Sequence, residues 1–218
     1  MKFVKFKSKT KTEKAKCPDE WNDVPFKNYA DFLKLTEEGD GVPNPKEVFK
    51  LFFGLTDEMV NSDFRVEQLI AMNEQLNFIS EAPKHTVKAT HFKKPDGLFV
   101  KIPSRVEYLS LGKYRDIVET ASEVLQDDEP SIVNMISLYP EMIAIFCMDK
   151  DDYSQDDLDE LSEIIAQCPT PDVVELGNFF FQEFANLKRG TFHKWWHHLK
   201  MMIMTRRSDN YLKILGIC

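Results

Sequence analysis

Between Asp172 and Gly190 the chain reads DVVELGNFFFQEFANLKRG, and Val173, Leu176, Phe180, Phe184 and Leu187 recur at steps of three and four residues. That spacing places them on one side of a 3.6-residue helix. Thr170 stands where a hydroxyl caps a helix N-terminus, and Pro171 falls at the first helical position, where a missing N–H costs nothing. Lys188 and Arg189 suit the negative end of the helix dipole, and Gly190 supplies a residue that turns left-handed and stops it. Phe179 and Phe181 widen the apolar surface beyond one stripe. The segment is therefore expected to be the central core helix, its phenylalanines serving packing before recognition.

The same periodicity predicts helices on both sides of a central interruption. From Trp21, the residues Phe26, Tyr29, Ala30 and Leu33 share a face. Asn44-Pro-Lys-Glu47 reads as a capped start for a short helix with Phe49, Phe52 and Phe53, ended by Gly54. Thr56 caps a further turn, and Asp63 opens an amphipathic run with Val66, Leu69, Ile70, Asn73, Leu76 and Phe78. Later, Ser110 caps a run with Leu111, Tyr114, Ile117, Val118 and Ala121; Pro130 and Pro140 each start a short helix; and Ser154 with Asp157 forms a capping box for a helix through Leu158, Leu161, Ile164 and Ile165. Between these sections, residues 84–102 change to period two around KPDG, a turn sequence with Pro second and Gly fourth. A β-hairpin is expected there, too small to stand alone, with the KFVKFK start as a candidate strand for it to recruit.

The predicted fold is mainly α: two similar helical modules, at 21–83 and 104–190, with a small hairpin at 84–103 between them. A basic N-terminal arm (1–20) precedes them and an amphipathic C-terminal helix and tail (191–218) follow. Setting VPFKNYADFLKL (24–35) beside LSLGKYRDIVET (109–120) aligns Tyr29 with Tyr114 and Asp31 with Asp116, and the order of elements repeats, which suggests a duplication.

Composition places the chain among soluble globular proteins: 43% of its 218 residues are apolar and 29% charged. No run approaches the roughly 18 uninterrupted apolar residues of a membrane span, and the lysine-rich start lacks a signal peptide's apolar core, so a cytoplasmic protein is expected. Cys17, Cys147, Cys168 and Cys218 form no CxxC pair, which disfavours a disulfide framework or structural zinc. Charge is segregated. Residues 1–16 hold seven Lys and one Glu, and 188–218 hold seven Lys or Arg and one Asp, so the stretch between them carries −20 of a total of −8. Basic ends on an acidic body suit an acidic partner or a second copy. Nucleic-acid binding is disfavoured, since no helix-turn-helix, zinc or RNP pattern accompanies the lysines.

Candidate chemistry is thin. DKDDYSQDDLDE (149–160) has acids at positions one, three, nine and twelve of a calcium loop, but Tyr153 and Ser154 stand where an oxygen ligand and a turn-forming Gly belong; an acid-rich helix start explains it better. His193 and His197 have the spacing of a metal pair without a third ligand. The better reading of FHKWWHHLKMMIMTRR is an amphipathic helix whose Trp195, Trp196, Leu199, Met202 and Ile203 bind a protein partner, rimmed by Lys194, Lys200, Arg206 and Arg207. No phosphate loop, nucleophile elbow or Cys/His pairing occurs. The sequence predicts no enzyme, no cofactor and no metal.

Four segments, in order, carry a family resemblance: LFFGLTDE (51–58), LNFISEAP (76–83), LSLGKYRDI (109–117) and IIAQCPTPDVVELGNFFFQEFANLKRG (164–190). Together they resemble proteins of tailed-phage structural gene clusters that look like tail-assembly chaperones. The resemblance implies a non-enzymatic assembly protein acting in the host cytoplasm, with other phage proteins or copies of itself as partners. Its alternatives are a permanent virion component (neck, ring or internal protein) and a nucleic-acid-binding phage protein. The Trp-, His- and Met-rich segment after Gly190 departs from the family pattern.

Overall fold

A computed structural model describes residues 2–7, 12–39, 41–61, 66–84, 91–93, 99–101, 110–125, 131–148 and 152–187. The protein is mainly helical. Helices α1 (Phe26–Glu38), α2 (Pro45–Phe53), α3 (Asp57–Asn61) and α4 (Val66–Gln75) occupy the first half, and α5 (Leu111–Leu125), α6 (Ile132–Ser137), α7 (Tyr139–Cys147), α8 (Gln155–Ala166) and α9 (Thr170–Leu187) the second. Local chemistry sets their ends. Asn44 accepts from the Lys46 amide at 3.0 Å to start α2, Pro45 follows it, and Gly54 at φ +62° ends it in the left-handed region that favours glycine. Ser154 and Asp157 make the reciprocal capping box of α8. The cap of α6 is Ser131, whose hydroxyl accepts from Val133 and Asn134.

Two apolar clusters make up the interior. The first is built on α7, in which Tyr139, Pro140, Met142, Ile143, Ala144, Ile145, Phe146 and Cys147 are all buried. Helices α5, α8 and α9 pack on it, contributing Ile117, Leu158, Leu161, Ile165, Val173, Leu176 and Phe180. The central helix is thus α7 and not α9, as its sequence predicted. An amphipathic stripe marks a helix with one wet side, whereas α7 is apolar on nearly every side because it is enclosed. The second cluster gathers Cys17, Trp21, Val24, Phe32, the phenylalanines of α2, Leu55, Val60, Met72, Leu76 and Ile79. Its rings meet edge-on: Trp21 lies 5.1 Å from Tyr29 and 5.2 Å from Phe78 between centroids.

Helix α1 serves both clusters. Phe26 and Ala30 belong to the first, with Tyr29 and Leu33 packed against it as their shared face predicts, while Phe32 belongs to the second. Ala30 and Phe32 are two residues apart, about 200° around a helix, so one short helix forms a wall with an apolar surface on each side.

Three expected faces are turned. On α4, Ile70 is 53% exposed and Met72 is fully buried, because Met72, Leu76 and Ile79 form the line that meets the second cluster. On α5, Leu111 is 84% exposed and Lys113 takes the inner line with Ile117 and Ala121, at four-residue steps. At the start of α9, Thr170 does not cap: its hydroxyl donates to the Val24 carbonyl at 2.7 Å, and the first turn closes on the Pro169 carbonyl. Val173, Leu176 and Phe180 are buried as expected; the side chains of Phe184 and Leu187, and residues 188–190, lie outside the described residues.

Strands β1 (Lys2–Lys7) and β2 (Thr12–Cys17) pair antiparallel, as do β3 (His91–Lys93) and β4 (Phe99–Lys101), in separate two-stranded sheets. The KFVKFK segment therefore pairs with β2 and, among the described residues, not with 91–93 or 99–101. Most of the 84–103 span, including the KPDG turn, lies outside the described residues. So does the 191–218 segment with Trp195, Trp196, Leu199, Met202 and Ile203. No described helix is long and apolar enough to cross a membrane.

Candidate functional site

Each of the four segments singled out by the resemblance has described residues that contact another part of the chain. The closest joint ties residues 24–26 to 168–170. The Phe26 amide donates to the Cys168 carbonyl at 2.9 Å, and the Val24 carbonyl accepts from both the amide and the hydroxyl of Thr170, at 3.0 and 2.7 Å. Pro25 and Pro169 face each other between these bonds. Neither proline has an N–H to donate, so the flanking residues carry all the pairing. The Cys-Pro-Thr-Pro sequence at 168–171 thus fastens the start of α9 to the start of α1.

A second joint explains Gly177-Asn178-Phe179-Phe180. A Cβ on Gly177 would sit 2.0 Å from Cδ2 of Tyr139, so only glycine lets the tyrosine ring lie against α9. The Tyr139 hydroxyl donates to Asn178 Oδ1 at 3.2 Å, and its ring stacks on Phe26 at 6.1 Å and 13°. Phe180 meets Phe146 edge-on at 4.4 Å. Burial pushes the Tyr139 ionisation well above the usual phenol range. The sequence did carry one signal of this joint: a glycine inside a helical pattern costs about 1 kcal/mol relative to alanine and calls for a packing reason.

The LSLGKYRDI segment makes a third. Lys113, buried in a row of apolar positions, donates its ammonium to the Met148 carbonyl at the C-terminal end of α7, where a cation also suits the helix dipole. Asp116 accepts from the Tyr153 hydroxyl at 2.6 Å and from the Arg115 guanidinium at 3.2 Å. Burial, and then the bond to Asp116, raise the Tyr153 ionisation far above its ordinary value. In the first half, the Leu51 carbonyl accepts from the Asn28 amide at 2.8 Å, Lys50 pairs with Glu47 and Asp57, and the Glu81 carbonyl accepts from the Trp21 indole at 2.7 Å.

The described cysteines are enclosed, and several described acids are held in contacts. Cys17, Cys147 and Cys168 are buried and stand outside any disulfide. Cys168 donates to the Ile164 carbonyl at 3.4 Å, and burial, followed by the charge of Asp172, pushes its thiol up to about 12. It stays protonated near neutrality, and a thiol is a poor nucleophile. Within the calcium-loop candidate, Tyr153 is bonded to Asp116, Asp157 is used by the capping box, and Asp159 accepts from Gln155 at 2.8 Å; residues 149–151 lie outside the described residues. Among the described residues no three His, Cys, Asp or Glu side chains gather as a metal site. His193 and His197 lie outside them, as do the five expected partner-binding residues. The large apolar side chains exposed among the described residues are Val42, Ile70 and Leu111, on three different segments. No family model, curated protein or solved structure matches this chain.

Proposed function

We propose that this chain is a non-enzymatic morphogenesis protein of a tailed phage, which holds another phage protein during tail or particle assembly in the host cytoplasm, in the manner of the tail-assembly chaperones it resembles. The observation that carries this reading is the position of the four resembling segments. Of their residues, Asp116 bonds Tyr153, Gly177 and Asn178 meet Tyr139, the Glu81 carbonyl accepts from the Trp21 indole, and Gly54 ends α2. Residues used in that way specify a scaffold, and a scaffold suits a protein whose work is binding. The reading includes two related helical modules, at 21–83 and 104–190, separated by a hairpin at 84–103. It also assigns client capture to the C-terminal segment, through Trp195, Trp196, Leu199, Met202 and Ile203, with no metal or turnover required. Tryptophan beside methionine suits adaptable protein recognition.

Mass spectrometry of purified particles, beside affinity capture of the tagged chain from infected cells, tests the reading. A chaperone is captured with a particle protein yet missing from finished particles. Abundant peptides in the particles would instead make it a permanent virion component. Capture of nucleic acid with no particle protein would overturn both. Elemental analysis after dialysis should find no stoichiometric calcium or zinc.

A further inference from the structure

We draw no further inference here: the strongest candidate, the exposed side-chain cluster of Asp156, Asp159, Glu160 and Glu163 on the outer face of α8, has Glu163 already paired with Lys27 at 3.4 Å, and nothing in the structure shows what covers the rest.

Discussion

The two apolar clusters are assembled in opposite ways. Every buried member of the second lies between Cys17 and Ile79, and it is the richer in rings: Trp21, Phe32, Phe49, Phe52 and Phe53, with Tyr29 and Phe78 at its margin. The first is mostly aliphatic, and it draws Phe26 and Ala30 across about ninety residues to complete a core otherwise built from 117–180. A cluster made of near neighbours closes small loops; one that needs α1 closes a large one, at greater entropic cost. The difference shows in how each is fastened. In the second, edge-on rings are joined by the Trp21–Glu81 and Asn28–Leu51 hydrogen bonds, whereas the first has the bonds between 24–26 and 168–170 and the fitted contact of Tyr139 with Gly177.

The comparison is broken most forcefully at Phe180, which is fully buried against Phe146. Phe180→Ala should destabilise the protein by about 3 to 5 kcal/mol in denaturant titration, and hydrogen exchange should rise in α7 and α9 before α2. Gly177→Ala comes next, at about 1 to 3 kcal/mol for forcing a methyl into the Tyr139 ring. Adding Tyr139→Leu should recover part of that loss, and strict additivity of the two changes would contradict the fitted joint. Thr170→Val removes one of two donors to the Val24 carbonyl and should cost only about 0.5 to 1.5 kcal/mol, since the amide donor remains.

The smallest effect concerns pH. The Cys168 thiol has its folded value raised from 9.0 to about 12, chiefly by burial. The folded state therefore keeps a proton that the unfolded chain releases, so this contribution to stability is whole below pH 9 and is lost as pH rises toward 12. Denaturation midpoints measured across that range should fall less steeply for Cys168→Ala than for the wild type.

How much of this was legible in the sequence depended on locality. The caps at Asn44, Gly54 and Ser154 follow from one or two neighbouring residues, and they stand as read. The buried line of α9 through Phe180 was legible for the same reason. The central helix was not, because a nine-residue segment apolar on nearly all sides has no stripe to detect. Lys113 was passed over because a charged residue signals solvent unless its partner is known, and its partner is a carbonyl 35 residues away. Thr170 has the right chemistry for a cap, but its hydroxyl serves Val24, 146 residues earlier. The five residues expected to bind a partner stand on sequence pattern alone.

Helix α1 is a wall shared by both clusters and so joins them in one body. Hydrogen exchange of Phe26→Ala tests it most directly, since Phe26 stacks on Tyr139 at the junction of α1 with the first cluster. Protection should fall in α7 and α9 and also along α1 and α2. If α7 and α9 lost protection while α1 and α2 kept theirs in full, the two clusters would be independent units and the claim would be wrong.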